Sequence, residues 1–328
     1  MTVSGSPRAM GAGLVILAAI CFGTLGPLSR FAGQAGVESL ALVTWRAALG
    51  GACTVLFILT AMAFGRRPLT SFASLGARDR WSMLGAAIAN TVLNLAVFVA
   101  FTRISIALAL LVFYLYPALV ALVSVVWFGE RLDAIRWSAL GTSLVGTVLV
   151  VAGANSLGQL DLLGIGLAFI GALSQAVYVL SARHGFAAVP GPQAAAVTML
   201  LAALFYVAGG LAFGQAAVFA QPLASGAALV PVVLAGVVGA GIPTVCFIIG
   251  IRLLGAPRAA ILATLEPVVG VGLAALLLGE RPTIVQLAGG ILIIAAGVLL
   301  QLRSPAELVE HEALSAEAAT APRSEAGS

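Results

Sequence analysis

The chain has 328 residues, of which 61% are hydrophobic and 9% charged, with a formal net charge of +4. A soluble domain carries roughly 25% charged residues, so this composition excludes a water-soluble fold and reads as one membrane domain of two halves. All sixteen basic residues are Arg, and they stand near the ends of apolar runs rather than in one patch; this argues against a nucleic-acid surface and hints at a GC-rich bacterial genome.

A membrane helix needs about 20 mostly apolar residues. Arg8 precedes an apolar run from Met10 to Leu28, so the N-terminus reads as a first helix and not as a cleaved signal peptide. Ten spans are predicted: 11–32, 39–64, 82–101, 104–127, 135–153, 162–183, 192–213, 227–250, 257–278 and 284–302. Short linkers such as Arg66-Arg67-Pro68, Asn155–Gly158 and Pro190-Gly191-Pro192 separate them, which makes successive helices antiparallel neighbours.

Polar groups inside a bilayer are expensive and mark a cavity or a helix contact. The first span carries Thr24 and Pro27. The second carries Trp45 and Arg46, the latter roughly 10 Å below the surface at about 1.5 Å per residue. Arg46 could attract a substrate carboxylate, pair with Glu266 or snorkel outward. Trp45 reads as an interface anchor or an aromatic wall. Asn90 and Asn94 stand at i and i+4 in the third span, on one face that must point at protein or water. In the fourth, Tyr114 and Tyr116 lie about 200° apart around a regular helix, so only one need face a pore unless Pro117 distorts the turn.

Ser174, Gln175 and Tyr178 form a polar turn in the sixth span, and Pro243, Thr244 and Cys246 mark the eighth. Glu266 falls roughly 14 Å into the ninth span, near the midplane, and Pro267 after it frees a backbone carbonyl there. Glu266 could bind a substrate ammonium or carry a proton; a packing hydrogen bond or a buried pair with Arg is the structural alternative. Pro27, Pro117, Pro243 and Pro267 are hinge candidates or static kinks. Gly85/Ala89 and Gly236/Ala240 read as close helix-packing pairs. The segment 303–328, rich in Ala, Glu and Ser, reads as a disordered acidic tail.

The chain repeats itself. Tyr-Pro at 116–117 and Gly-Glu-Arg at 129–131 recur as Glu-Pro at 266–267 and Gly-Glu-Arg at 279–281, an offset of 150 residues. With the N-terminus inside, twelve Arg fall on the cytoplasmic side and three (Arg30, Arg103, Arg281) outside, with Arg46 within a span. That bias predicts both termini in the cytoplasm. Five helices per half is an odd number, so the second copy runs in from the opposite face: the repeats, 11–153 and 162–302 after a short N-terminus at 1–10, are inverted. By position, Tyr116 is the counterpart of Glu266.

Ten helices in two five-helix halves, with a Pro in the fourth helix of each and Gly-Glu-Arg closing it, resemble the drug/metabolite transporter superfamily, in its EamA-type branch. The resemblance covers about residues 11–302. It implies a secondary transporter of the inner membrane that moves a small metabolite, an amino acid or related compound, outward by alternating access. It also supplies the set of helices expected around a central cavity: 1, 3, 4, 6, 8 and 9. The superfamily's four-helix multidrug members use a Glu in their first helix; no acid occurs between Met10 and Ala32, so that proton scheme does not carry over.

The other readings are a relative with another substrate class (nucleotide sugar, phosphorylated sugar, drug) and a membrane scaffold or sensor with a sealed core. A phosphate-bearing solute would want several pore cations, and Arg46 alone is evident. Enzyme signatures are missing: no Walker A sequence occurs, and the only histidines are His184 at a helix end and His311 in the tail. Cys21, Cys53 and Cys246 have no metal or disulfide spacing. No cofactor is therefore expected. The expected partners are a small-molecule substrate and membrane lipid, with proton coupling open.

Overall fold

The computed structural model describes residues 7–65, 69–104, 106–152, 161–278 and 282–302. The Arg66-Arg67-Pro68 and 155–158 linkers, the second Gly-Glu-Arg at 279–281 and the tail from 303 lie outside the described residues. Every regular element among those described is helical. Nine are long and apolar enough to cross a membrane, and a tenth apolar helix is shorter, at Ile284–Leu299.

Four spans are interrupted, and proline sets each interruption. The first divides into α1 (Pro7–Gly23) and α2 (Leu25–Gln34). The second is α3 (Ser39–Ala63) and the third α4 (Ala77–Arg103). The fourth divides into α5 (Ile106–Phe113) and α6 (Tyr116–Val126). α7 (Ala134–Ala152) completes the first half.

The second half opens with α8 (Leu162–Leu180), which ends in a π-turn at Ser181–Gly185, and α9 (Gly191–Ala212). The eighth span is α10 (Gly226–Gly236), a π-turn at Val237–Gly241, and α11 (Ile242–Leu254). The ninth divides into α12 (Ala256–Ala263) and α13 (Leu265–Leu278), and α14 (Ile284–Leu302) is the tenth.

Proline has no N–H to donate, and its ring collides with the carbonyl four residues earlier. The residues four before Pro27, Pro117 and Pro267 are Gly23, Phe113 and Ala263, and each is the last residue of its upstream helix. Four before Pro243 lies Gly239, the centre of the π-turn. The helices thus break where the sequence places the proline, and the breaks in spans four and nine fall at equivalent positions of the two repeats.

Helix pairing displays the internal symmetry. α1 packs on α11, and α4 packs on α8; α3 packs on α9, and α7 on α14. Advancing every span by five converts span pair 1–8 into 6–3 and leaves 2–7 and 5–10 unchanged, as a pseudo-two-fold axis requires. Two side-chain clamps obey the same operation. The Glu38 backbone N–H donates to Gln221 Oε1 at 2.8 Å while Gln221 Nε2 donates to Glu38 Oε1 at 2.6 Å. At the other end, the Thr70 N–H donates to Gln193 Oε1 and Gln193 Nε2 to the Thr70 carbonyl, both at 2.8 Å.

Small residues let backbones touch where the halves meet. A Cβ built on Gly146 would lie 2.7 Å from the Gly289 carbonyl oxygen, and one on Gly289 would lie 2.5 Å from that of Gly146. The expected Gly236/Ala240 contact forms against Leu49 and Gly50 of α3. The expected Gly85 contact does not, because a Cβ there would meet open space. Gly129, in the first Gly-Glu-Arg turn, has φ +65°, a left-handed conformation that favours glycine.

Candidate functional site

A cavity of about 1000 Å³ lies between the two halves. It reaches from Glu266 and Tyr178 to the end of the bundle formed by Arg30, Val37, Val151 and Gln286. The helix breaks shape it: Pro27 and Pro267 line it directly, Gly26 leaves open space beside them, and Gly23 lets the first span pack closely on Val269 of α13.

Its polar wall is an interlocked group. Arg46 on α3 donates through Nη2 to Asn94 Oδ1 on α4. Asn94 Nδ2 donates in turn to the Asn90 carbonyl at 2.7 Å and to Asn90 Oδ1 at 3.2 Å. The two-Asn face of α4 therefore orients the guanidinium. Tyr206 on α9 lies beside it, its hydroxyl donating to the Thr91 carbonyl at 3.1 Å. Arg46 Nε is buried and has no hydrogen-bond partner. Glu266 faces the same cavity, hydrogen-bonded to the Tyr114 side chain and within electrostatic range of Arg46. A fixed cation and a fixed carboxylate thus meet one space, and each still has hydrogen-bonding capacity to offer a solute. The rest of the wall combines the apolar Phe22, Phe113, Phe247 and Met199 with the polar Gln175 and Thr244.

The opposite end of the bundle is closed by backbone carbonyls gathered on one guanidinium. Arg252, near the end of α11, donates from Nη1 to Val189 at 2.6 Å, from Nη2 to Phe186 at 3.0 Å and from Nε to Ala182 at 3.3 Å. Its guanidinium carbon stands 5.7 Å from the centre of the Phe186 ring. Arg183 Nη1 donates back to the Arg252 carbonyl at 2.5 Å. The π-turn at Ser181–Gly185 exposes the carbonyl of Ala182 that Arg252 takes up. Beside it, His184 stacks on Phe128 at 3.9 Å and approaches Glu130 at 3.3 Å.

Most expected site residues meet in this cavity: Pro27, Arg46, Asn90, Asn94, Tyr114, Gln175, Tyr178, Thr244, Glu266 and Pro267 all line it. Several do not. Thr24 lies off the lining and bonds the Cys21 carbonyl at 2.6 Å, closing the break in the first span. Trp45 donates Nε1 to the Phe219 carbonyl at 2.8 Å, an anchor to the connecting segment and not a wall. Tyr116 packs against Phe113 and Tyr114 and is off the lining, so only Tyr114 of the pair faces the space. Ser174, Pro117 and Pro243 are also off the lining.

The expected helix set needs enlarging, because helices 2 and 7 supply Arg46 and Tyr206. Arg30 adds a second cation at the mouth. Tyr206 escapes sequence reasoning because a single Tyr in an apolar run has no polar neighbour to signal it. A second recess, of about 660 Å³ between α2 and α10, is lined by apolar groups apart from Gln34 and holds no ionisable side chain.

An all-helical bundle of paired halves, with a polar cavity at their interface and proline-broken helices around it, defines a secondary-transporter architecture. The chain belongs to the EamA-like transporter family, whose model matches it twice, over residues 9–152 and 162–302. It is similar to an uncharacterized transporter of Archaeoglobus fulgidus, 28% identical over 296 residues, which covers 89% of this chain and 96% of that protein. A solved crystal structure superposes with a TM-score of 0.75 at 23% identity, over 90% of this chain and 97% of the other, and shares the fold.

Proposed function

We propose that this transporter exports a small zwitterionic metabolite, an amino acid or a related compound, from the cytoplasm by alternating access. The observation that carries the reading is the joint presence of Arg46 and Glu266 on one cavity wall. Arg46, held by Asn94, lines the cavity and offers its guanidinium charge to a carboxylate. Glu266, backed by Tyr114, accepts an ammonium. A solute carrying both charges satisfies both groups, which neither a simple anion nor a simple cation does. The aromatic wall suits an apolar side chain on that solute.

The excess of Arg at one set of helix ends supports a bacterial inner-membrane orientation with both termini in the cytoplasm. In that orientation the cavity mouth faces outward, and the Arg252 cluster closes the cytoplasmic side. Outward transport follows the resemblance to exporters. Glu266 also offers a proton site, since a carboxylate that exchanges an ammonium for a proton couples the two movements.

A second reading rests on Arg30: with two arginines along the cavity, a phosphorylated solute could pair with both. Flux into and out of proteoliposomes discriminates. Free amino acids with large apolar side chains should move, while their N-acetyl and amide derivatives, each lacking one charge, should not. Movement of a sugar phosphate with no amino-acid flux would favour the second reading. Loss of flux for every solute in the panel would remove both.

A further inference from the structure

We infer that the arginine-rich face carries an anion site separate from the cavity, built by Arg8, Arg136 and Arg258, and that it takes a phosphate group such as the headgroup of an anionic lipid. The three residues begin three different helices. Arg8 is the second residue of α1, Arg136 the third of α7 and Arg258 the third of α12. α12 packs against both α1 and α7, and Arg258 lies within electrostatic range of both Arg8 and Arg136. Arg136 and Arg8 act on Arg258 as repelling neighbours, and Asp133 is the attracting one.

One acid cannot balance three cations, and Asp133 is already engaged: its Oδ1 accepts the Arg136 backbone N–H at 2.8 Å, which caps α7. Its distance to Arg136 Nε is 3.9 Å. Arg136 Nη1 goes to the Arg131 carbonyl at 2.7 Å. That leaves the Nε–H of Arg136 and the Nε–H of Arg258 buried without a hydrogen-bond partner. Two buried, unpartnered guanidinium N–H groups on electrostatically neighbouring side chains are costly on their own, and an anion that draws both arginines to it satisfies both.

The helix beginnings add their own partial positive charge and free amide groups to the same spot. All three side chains are half-buried at the ends of membrane spans, the depth at which lipid phosphates lie. A free phosphate has the same chemistry, so the two sources need separate arms in the test.

Purified full-length protein in neutral detergent is titrated with phosphatidylglycerol, phosphatidylcholine or inorganic phosphate, and binding is read by native mass spectrometry. Phosphatidylglycerol is expected to bind in preference to phosphatidylcholine. Each arginine near a lipid phosphate contributes roughly fivefold, so the Arg136→Gln/Arg258→Gln variant should bind phosphatidylglycerol about thirtyfold more weakly. Arg80→Gln, an exposed arginine elsewhere, should leave binding unchanged. If the double variant does not purify, Arg258→Gln alone should show the fivefold loss.

Displacement of the lipid by millimolar phosphate supports the site and assigns it to soluble phosphate. Failure of phosphate to compete supports it as a headgroup site. Equal binding of the two lipids with no phosphate binding overturns the proposal, and so does a loss in Arg80→Gln equal to that in the double variant.

Discussion

Gly289→Ala tests the symmetry argument at its tightest contact. The added Cβ would lie 2.5 Å from the Gly146 carbonyl oxygen, 2.7 Å from the Val150 nitrogen and 2.8 Å from Leu149 Cβ. Two of these are backbone atoms, which no side-chain rotation relieves. Restoring the 3.4 Å of ordinary contact requires α7 and α14 to separate along the seam. Overpacking of this kind costs about 1–3 kcal/mol. For a chain of 328 residues that corresponds to a fall in Tm of roughly 1.5–4.5 °C.

Val150 and Val151 line the cavity, so the same wedge moves part of its wall and should lower transport as well. Gly141→Ala on α7 is the control, because nothing lies within 4 Å of its added Cβ; it should be neutral or slightly stabilising. Thermal unfolding of the two purified variants in one detergent reads the difference. Equal Tm values for both would refute the close-packed seam.

Three other outcomes are expected. Asn94→Ala frees the Arg46 guanidinium from its orienting acceptor, so apparent substrate affinity should fall by about tenfold while the protein stays folded; unchanged affinity would show that Arg46 needs no positioning. Arg252→Gln removes the group that gathers three carbonyls and so loosens the closed end. In a background carrying Cys21→Ser and Cys53→Ser, Cys246 on the same helix should then react at least roughly tenfold faster with a membrane-impermeant thiol reagent added from that side, and an unchanged rate would show that Arg252 does not hold the end shut. Asp161 caps α8 by accepting the Leu163 N–H and pairs with Arg103, which holds its carboxyl below the usual Asp range. Its contribution is therefore complete above the ordinary Asp value of about 4 and fades as pH falls below it. The stability gap between wild type and Asp161→Asn should stay constant above that pH and shrink in acid.

The sequence carried the architecture because lipid imposes it: a helix has to be long, apolar and internally hydrogen-bonded, and each proline announces its own break four residues upstream. Glu266, Arg46 and the two Asn were legible because each is an expensive group in an apolar run. What the sequence could not say was which neighbours each would find. Tyr116 occupies the position of Glu266 in the other repeat, yet it packs into the core, since symmetry of backbone does not extend to side-chain chemistry. Trp45 turned to a carbonyl in a connecting segment that no periodicity connects to it. The Arg252 cluster was out of reach for the same reason: it depends on a π-turn that presents carbonyls, and helical runs give no warning of one.

The most direct test of the central claim is counterflow of a labelled amino acid in proteoliposomes holding wild type, Arg46→Gln or Glu266→Gln, with Asp161→Asn, outside the cavity, as the control. If the cavity binds a zwitterion through these two groups, each cavity variant should lose transport by about 10- to 100-fold, the measure of one charge-assisted hydrogen bond, while the control keeps it. Wild-type rates in both cavity variants would contradict the account.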